Sequence, residues 1–275
     1  MADTAINVDS VYQKATDYLT QENINSPSNG VRPLPEWGQI LSTDPIGWWT
    51  YKALLVRLEK RLSHRYQYQV SYTLAKQEGN FGGTGNTPDL VGINQGGGIT
   101  DYYNPSADIG PLPSDRRHAV VMSGAFQLPS DVVLGVIWNF RTTTPFSARA
   151  GVDVNGDGTN NDYVPGTTKG MGNRDNAAMM TAVNAYRATL GLPALPESQI
   201  DTNTLYRLDL RLSKAIQLGG GRKVELIGQV LNALGRTNLG GVGSAYQSSA
   251  RAATFGQILT AQARQQGEVA VRFVW

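Results

Sequence analysis

Oxygen-bearing side chains are concentrated in the segment "DVNGDGTNND", at residues 153–162. The candidate ligands within it are Asp153, Asn155, Asp157, Thr159 and Asp162. A calcium loop opens with oxygens at its first, third and fifth positions, a glycine at the sixth, here Gly158, and a backbone carbonyl at the seventh. The spacing therefore indicates Ca²⁺ as a candidate cofactor, with the roughly millimolar affinity of extracellular calcium modules. No other cofactor is indicated.

The same segment has a second interpretation. The bidentate glutamate expected at the twelfth position of a calcium loop is missing, and Val164 stands there. Aspartate and asparagine side chains also cap the backbone of Gly-rich turns without any metal. The sequence leaves both interpretations open.

Other catalytic or binding chemistry has little support. The chain has no cysteine, which excludes disulfides and thiolate metal sites. Its two histidines, His64 and His118, lie beside arginines and are typical of turn or surface positions. No strand-turn-helix motif presents a nucleophilic serine, so we expect no enzyme. A formal net charge of +2 over 275 residues gives no reason to expect a nucleic-acid partner.

The elements that would position these residues are strands. About eight segments of roughly ten residues alternate apolar and polar side chains, the pattern of strands with one apolar and one polar face. The clearest is "YQYQVSYTLAK" at 66–76. The expected strands are 36–43, 50–62, 66–76, the hairpin "RHAVVMSGAFQL" and "VVLGVIWNFRT", "TLYRLDLRLSKAIQL", "KVELIGQVLNAL" and the chain end.

Short and long connections alternate between these strands. "SHR", "PSD" and "GGGR" make short turns, whereas 78–115, 143–202 and 236–265 are long. Short periplasmic turns and long outer loops are typical of outer-membrane β-barrels. One long loop contains Met179, Val183, Tyr186 and Leu190 at helical spacing, which predicts a short loop helix packed on its own loop, with a substrate lid as the alternative.

The two faces of these strands predict two environments. The polar face carries charged residues that we expect to line a lumen: Arg57, Glu59, Arg61, Arg207, Asp209, Arg211, Glu225 and Arg272. So many ionic groups favour a wide or wet lumen over a small packed one, because an unpaired buried charge costs several kcal/mol. The apolar face requires an apolar partner, and outer-membrane lipid is the simplest, since a closed barrel satisfies every backbone group there.

Several of these segments together resemble a known family. "YKALLVRLEKRLSHRYQYQVSYTLAK", "TPFSARAGVDVNGDGTNND", "KVELIGQVLNALGRTN" and the terminal "VAVRFVW" are similar to the carboxyl-terminal barrel strands of Oar-like TonB-dependent receptors, in the same order. The resemblance implies an all-β, antiparallel transmembrane barrel of the 22-stranded type, with this chain as its carboxyl-terminal part. It also implies capture of an unknown extracellular ligand and its uptake across the outer membrane.

The same resemblance sets expectations for domains and partners. Residues 1–35 are expected to be irregular and 36–275 to form the barrel segment, with no plug domain, so that contact with the TonB system would require the missing plug. Barrels of this kind end in an aromatic residue on an alternating strand that the barrel-assembly machinery recognises. Here that signal would be Val269, Val271, Phe273 and Trp275.

Two other classes of protein stay open. A structural or adhesive outer-membrane barrel could use calcium-binding surface loops without any transport. A soluble β-sandwich is a third interpretation, and it would not require detergent for solubility.

Overall fold

The computed structural model describes residues 3–28, 30–80, 99–240 and 246–275. Across these ranges the chain forms a nine-stranded antiparallel sheet. The strands are β1 (Thr4–Asn23), β2 (Leu41–Ser63), β3 (Tyr66–Gly79), β4 (Gly110–Pro111), β5 (His118–Leu128), β6 (Val132–Arg141), β7 (Leu205–Gly219), β8 (Arg222–Leu231) and β9 (Gln266–Val274). Each long strand pairs with the next along the chain, and the two-residue β4 pairs with β3. The prediction of an all-β antiparallel fold with about eight long strands is therefore confirmed.

The amino-terminal part of the sheet differs from the sequence prediction. Residues 1–35 were expected to be irregular, but Thr4–Asn23 forms β1 and pairs with β2 from Thr4↔Lys60 to Asn23↔Leu41. The expected strand at 36–43 is also wrong in its bounds, because β2 begins at Leu41 and continues unbroken to Ser63. A register irregularity between Ala15 and Thr20 breaks the side-chain alternation of β1. Because of that break and of the polar residues on both faces, a search for period-two patterns does not find this strand.

The registry of the sheet keeps apolar side chains on one face. One cross-strand row runs Ile6, Leu58, Val70, Met122, Trp138 and Leu208 from β1 to β7. The rows nearer the short turns reach Val269, Val271 and Phe273 on β9. Since alternate residues point to opposite faces, the intervening positions form a separate polar face.

The short turns all lie at one end of the sheet. His64 and Arg65 connect β2 to β3 with positive φ angles of 50° and 72°, as a two-residue hairpin turn requires. Ser130 and Asp131 in the β5–β6 turn also have positive φ. Gly220 and Gly221 connect β7 to β8 at φ 58° and 78°, where glycine avoids the strain of a side chain. The described parts of the connections 24–40, 80–117, 142–204 and 232–265 lie at the opposite end.

The hydrophobic core lies in these long connections and not against the sheet. The buried cluster consists of Phe146, Ala148, Val164, Met179, Met180, Val183, Ile200, Ala250 and Phe255. Large apolar side chains of the strands stay exposed by contrast: Val8 is 61% exposed and Leu212 50% exposed. We call the four long connections, with this core, the loop cap.

One α-helix, α1 (Asn176–Thr189), lies within the described part of the loop cap. The Asp175 side chain accepts a hydrogen bond from the Ala178 N–H and caps its first turn. Met179 and Val183 are fully buried in the cluster together with Phe255 from the β8–β9 loop. The predicted helix is thus confirmed, and it packs on its own loop and on a neighbouring one.

None of the helices in the described ranges is long and apolar enough to cross a membrane.

The location of the core predicts that the loop cap can be weakened separately. Phe255→Ala removes a fully buried aromatic ring and should destabilise the loop cap by about 3–5 kcal/mol. Limited proteolysis should then cut 142–204 and 232–265 faster, while the β-sheet circular dichroism of detergent-solubilised protein is retained. Leu259→Ala is the matched control, because Leu259 lies in the same loop but is 75% exposed. Equal protease resistance of the two variants would contradict this placement of the core.

Candidate functional site

The polar face collects the charged residues that the sequence predicted to share it. Strand pairing places Arg57 opposite Ser71, Arg207 opposite Asn139, and Glu225 opposite Arg272, and all of these positions belong to the polar face. Glu59, Arg61, Asp209 and Arg211 follow the same alternation on β2 and β7. The structure therefore brings the eight residues to one face; that this face lines a lumen stays a prediction.

Most of these charges are paired within the sheet. Arg207 Nε lies 2.8 Å from Asp209 Oδ1. Arg57 Nε lies 4.0 Å from Glu59 Oε2, and the Arg272 guanidinium contacts the Glu225 carboxylate across β8 and β9. Within the described residues, neither Arg61 nor Arg211 has a carboxylate at salt-bridge distance.

The two unpaired guanidinium groups border a groove on the polar face. Its volume is about 650 Å³, and its lining comes from every long strand between β2 and β8. Ala125 and Gly135 lie opposite each other between the arginines, in the row that runs from Gln67 through Arg211 to Gln229. Small residues flanked by Arg61 and Arg211 leave an open groove with a local excess of positive charge. Such a surface suits an anionic or strongly hydrogen-bonding solute.

Buried polar contacts connect the long loops above the sheet. The Asp115 carboxylate accepts hydrogen bonds from the Gln77 N–H at 2.9 Å and from Arg174 Nη2 at 2.9 Å, which links the β3–β5 and β6–β7 loops. Asp108 accepts a hydrogen bond from the Tyr163 hydroxyl at 2.8 Å and links the same two loops. Because each carboxylate is almost fully buried, losing a partner would leave an uncompensated charge.

Arg187 makes the corresponding connection to the β8–β9 loop. Its side chain is only 2% exposed and donates to the backbone carbonyls of Pro193 at 2.8 Å and Ala250 at 2.6 Å. These contacts join α1 to the last long loop. Sequence reasoning missed Arg187, Asp115 and Asp108. Their partners lie 55 to 63 residues away in the sequence, and arginine and aspartate are ordinary residue types for a surface.

The Asp-rich loop, 153–162, is closed by its own backbone. Asp153 Oδ1 accepts the Gly156 N–H at 2.7 Å, and its Oδ2 accepts the Gly158 N–H at 2.8 Å. Asp157 Oδ1 accepts the Thr159 N–H at 2.7 Å, and Asp162 Oδ2 accepts the Val154 N–H at 2.7 Å. These are Asx-type contacts, the alternative that the sequence left open beside calcium.

One carboxyl of this loop has a perturbed pKa. Burial raises the pKa of Asp162 above its ordinary value, two backbone N–H groups oppose that shift, and the nearby charges of Asp157 and Asp153 add to it. However, in the ranges that the structure describes, no three histidine or acidic residues are arranged to hold a metal ion. A calcium ion would have to displace several of the backbone hydrogen bonds. Calcium binding by this loop therefore stays a prediction.

A buried lysine lies where the loop cap meets β3. Lys169 Nζ donates to the carbonyls of Gly79 at 3.2 Å and Asn80 at 2.9 Å. Burial lowers the pKa of Lys169 to about 8, although the nearby Asp108 charge opposes the shift. Because the pKa of Lys169 is lower in the folded protein than its ordinary value of 10.5, folding favours the neutral amine, so the stability that this group contributes declines as pH falls from 10.5 to about 8 and does not change further below that.

The terminal strand is exposed along its whole length. Val269 and Trp275 are 92% and 93% exposed, and Phe273 is 63% exposed. Val271 and Phe273 pair with Leu226 and Val224 of β8, so these side chains continue the apolar face. The structure thus brings Val269, Val271 and Phe273 to one face of an edge strand, with Trp275 immediately after its end, while the assembly role itself stays a prediction.

Comparisons with known proteins agree with this architecture. A family model described as outer membrane beta barrel domain matches residues 2–272. The crystal structure of the outer membrane transporter YddB from Escherichia coli superposes with a TM-score of 0.53 at 13% identity. The alignment covers 98% of this chain and 30% of that one, so this chain spans less than a third of the length of YddB. No curated protein matches the sequence.

The calcium prediction can be tested by calorimetry. If the Asp-rich loop binds Ca²⁺, titration of the detergent-solubilised protein should give a heat with a midpoint of roughly millimolar Ca²⁺. Asp157→Ala should abolish that heat, because it removes one ligand of the proposed site. Asp101→Ala, an acidic change in another loop, is the control and should leave the heat unchanged. An absence of calcium-dependent heat in the wild type would leave the Asx-capped loop as the sole interpretation.

Proposed function

This chain belongs to the outer membrane beta barrel domain family, and from that premise we propose that it forms the carboxyl-terminal barrel segment of a TonB-dependent transporter. In this role the loop cap would capture an extracellular ligand, and the polar face would line the passage across the membrane. Coupling to the TonB system would require a plug domain elsewhere in the complete protein. The resemblance of the strand sequences to Oar-like receptors supports this finer assignment.

One structural observation carries the proposal. The sheet separates an exposed apolar face from a polar face with a groove of about 650 Å³, and its long loops gather at a single end. The apolar face matches lipid because it has no protein cover within the described residues. A groove bordered by unpaired arginines suits the passage of a polar solute, which a barrel that merely anchors would not require.

A structural or adhesive barrel is the second candidate. The loop cap supports it, because its hydrophobic core and buried ion pairs make a compact body that could serve contact as well as capture. In that case the Asp-rich loop would contribute a calcium-dependent surface, and no plug would be needed.

The size of the complete protein distinguishes the two candidates. An antibody against the loop cap should detect, in outer membranes of the source organism, a protein roughly three times the size of this chain, because YddB is about that much longer. Mass spectrometry of that band should find plug-domain peptides amino-terminal to residue 1. Deletion of the host TonB should abolish uptake of any solute that co-purifies with the native protein. A band near 29.7 kDa without plug peptides would favour the adhesive barrel.

A second prediction concerns partners in assembly. If the barrel-assembly machinery reads the terminal strand, Trp275→Ala should lower the folded fraction of the complete protein in outer membranes at least several-fold. The Trp275 side chain is 93% exposed and contributes little to packing, so a lower folded fraction would reflect lost recognition and not lost stability. Heat-modifiable migration on gels measures the folded fraction. Val274→Ala, a change at the neighbouring residue that points to the other face, is the control. Equal folded fractions for both variants would exclude Trp275 as the signal.

A further inference from the structure

Three lysines form a patch on the apolar side of the sheet. Lys52 on β2 lies directly opposite Lys76 on β3, and Lys14 on β1 lies one step diagonally from Lys52, opposite Thr50. All three side chains are exposed. Alternation places them on the same face as Leu54 and Leu74, their neighbours two residues away along β2 and β3. We call Lys14, Lys52 and Lys76 the lysine patch.

The lysine patch lies at the edge of the apolar band. On β3 the outward-facing residues from Tyr66 to Lys76 cover about 33 Å along the strand. At the tilt of roughly 40° that outer-membrane strands adopt, this corresponds to about 25 Å of height, the height of the apolar band. The patch is on the side of the long loops, which is the outer side of such a barrel. This is the depth at which lipid headgroups begin.

Pairing within the protein accounts for only one of the three lysines. Residues of like charge directly opposite one another destabilise a sheet, and Lys52 and Lys76 are such a pair. Glu78 contacts Lys76, and Lys52 Nζ lies 5.8 Å from the centre of the Tyr12 ring. Among the residues that the structure describes, no carboxylate is within salt-bridge distance of Lys14 or Lys52. The patch thus carries net positive charge that the chain itself leaves uncompensated.

We propose that the lysine patch binds the phosphate groups of outer-leaflet lipid. Lysine suits this position because its apolar stem can lie along the membrane-facing surface while the ammonium group reaches the headgroups. The patch continues the lipid-facing surface without interruption, so a lipid whose acyl chains cover Leu54 and Leu74 would bring its headgroup to Lys52 and Lys76. Positive charge at the membrane surface attracts anionic headgroups. This binding requires the outer-membrane location and not the transport function.

Retention of a phosphorylated lipid measures this interaction directly. Protein purified from outer membranes in neutral detergent is incubated with lipid A, repurified and assayed for bound lipid. The wild type should retain lipid A, and it should retain dephosphorylated lipid A, which has the same acyl chains, much less. Lys52→Gln should weaken retention about fivefold, with a further loss in the variant Lys14→Gln, Lys52→Gln, Lys76→Gln. Replacing the three lysines by arginine should preserve binding.

A variant with equal charge loss at the opposite end of the sheet is the matched control. Lys214→Gln, Arg222→Gln and Lys223→Gln remove three cations near the short turns and should leave retention unchanged. The proposal is overturned if this control loses as much lipid A as the patch variant, or if dephosphorylated lipid A is retained equally well. Displacement of lipid A by the same concentration of inorganic phosphate would instead identify a site for free phosphate. Heat-modifiable migration confirms folding of each variant, and the single Lys52→Gln change decides the outcome if the triple variant does not fold.

Discussion

Continuous backbone pairing is the constraint on which the rest of this structure depends. In hydrocarbon every N–H and C=O group needs a partner, and strands obtain partners only from neighbouring strands. The long strands pair in chain order from β1 to β9. Once that pairing fixes the registry, every second residue shares a face, so Leu58, Met122 and Leu208 fall in one row. The separation into an apolar and a polar face is therefore a consequence of pairing in a single register, with each side chain assigned to its environment by its position.

A sheet that faces lipid on one side and a polar groove on the other has no layer in which to bury a core. That explains why, in the described ranges, the buried hydrophobic residues belong almost entirely to the loops, with Ala53 and Ala75 as the strand residues among them. The loops are therefore stabilised as a small globular domain is, by side chains packed around Phe255 and Met179 and by buried ion pairs such as Asp115 with Arg174. The loop cap and the sheet are thus stabilised by different interactions. This division allows the loops to change in sequence without altering the registry of the strands.

The sequence predicted most where a side-chain period reports directly on the environment. β3, β5, β6 and β7 were found with nearly correct bounds because their outward residues are consistently apolar, and α1 was found because its buried residues recur at helical spacing. β1 was missed because Ser10 and Lys14 interrupt its outward face and a bulge follows. The contacts of the loop cap could not be predicted either. Arg187 meets Ala250 across 63 residues, and nothing in the local sequence selects that partner. The Asp-rich loop remained ambiguous because the same carboxylates can accept backbone N–H groups or bind a cation.

The open edges of the sheet bear on the size of the complete barrel. In the described part of the chain, β1 and β9 each pair with one neighbour, so each leaves a row of backbone groups without a strand partner. Closing eight long strands on themselves would satisfy these groups, but the interior of an eight-stranded barrel has room only for packed side chains. The polar face presents the eight ionic side chains named above, further ones such as Asp9, Arg141 and Glu268, and a groove of about 650 Å³. Two of those ions, Arg61 and Arg211, have no carboxylate partner among the described residues, and burying them in a packed interior would cost several kcal/mol each. Further strands between β9 and β1 would satisfy the edges and keep the arginines hydrated, so the charge on the polar face supports the proposal of a wide barrel over a small closed one.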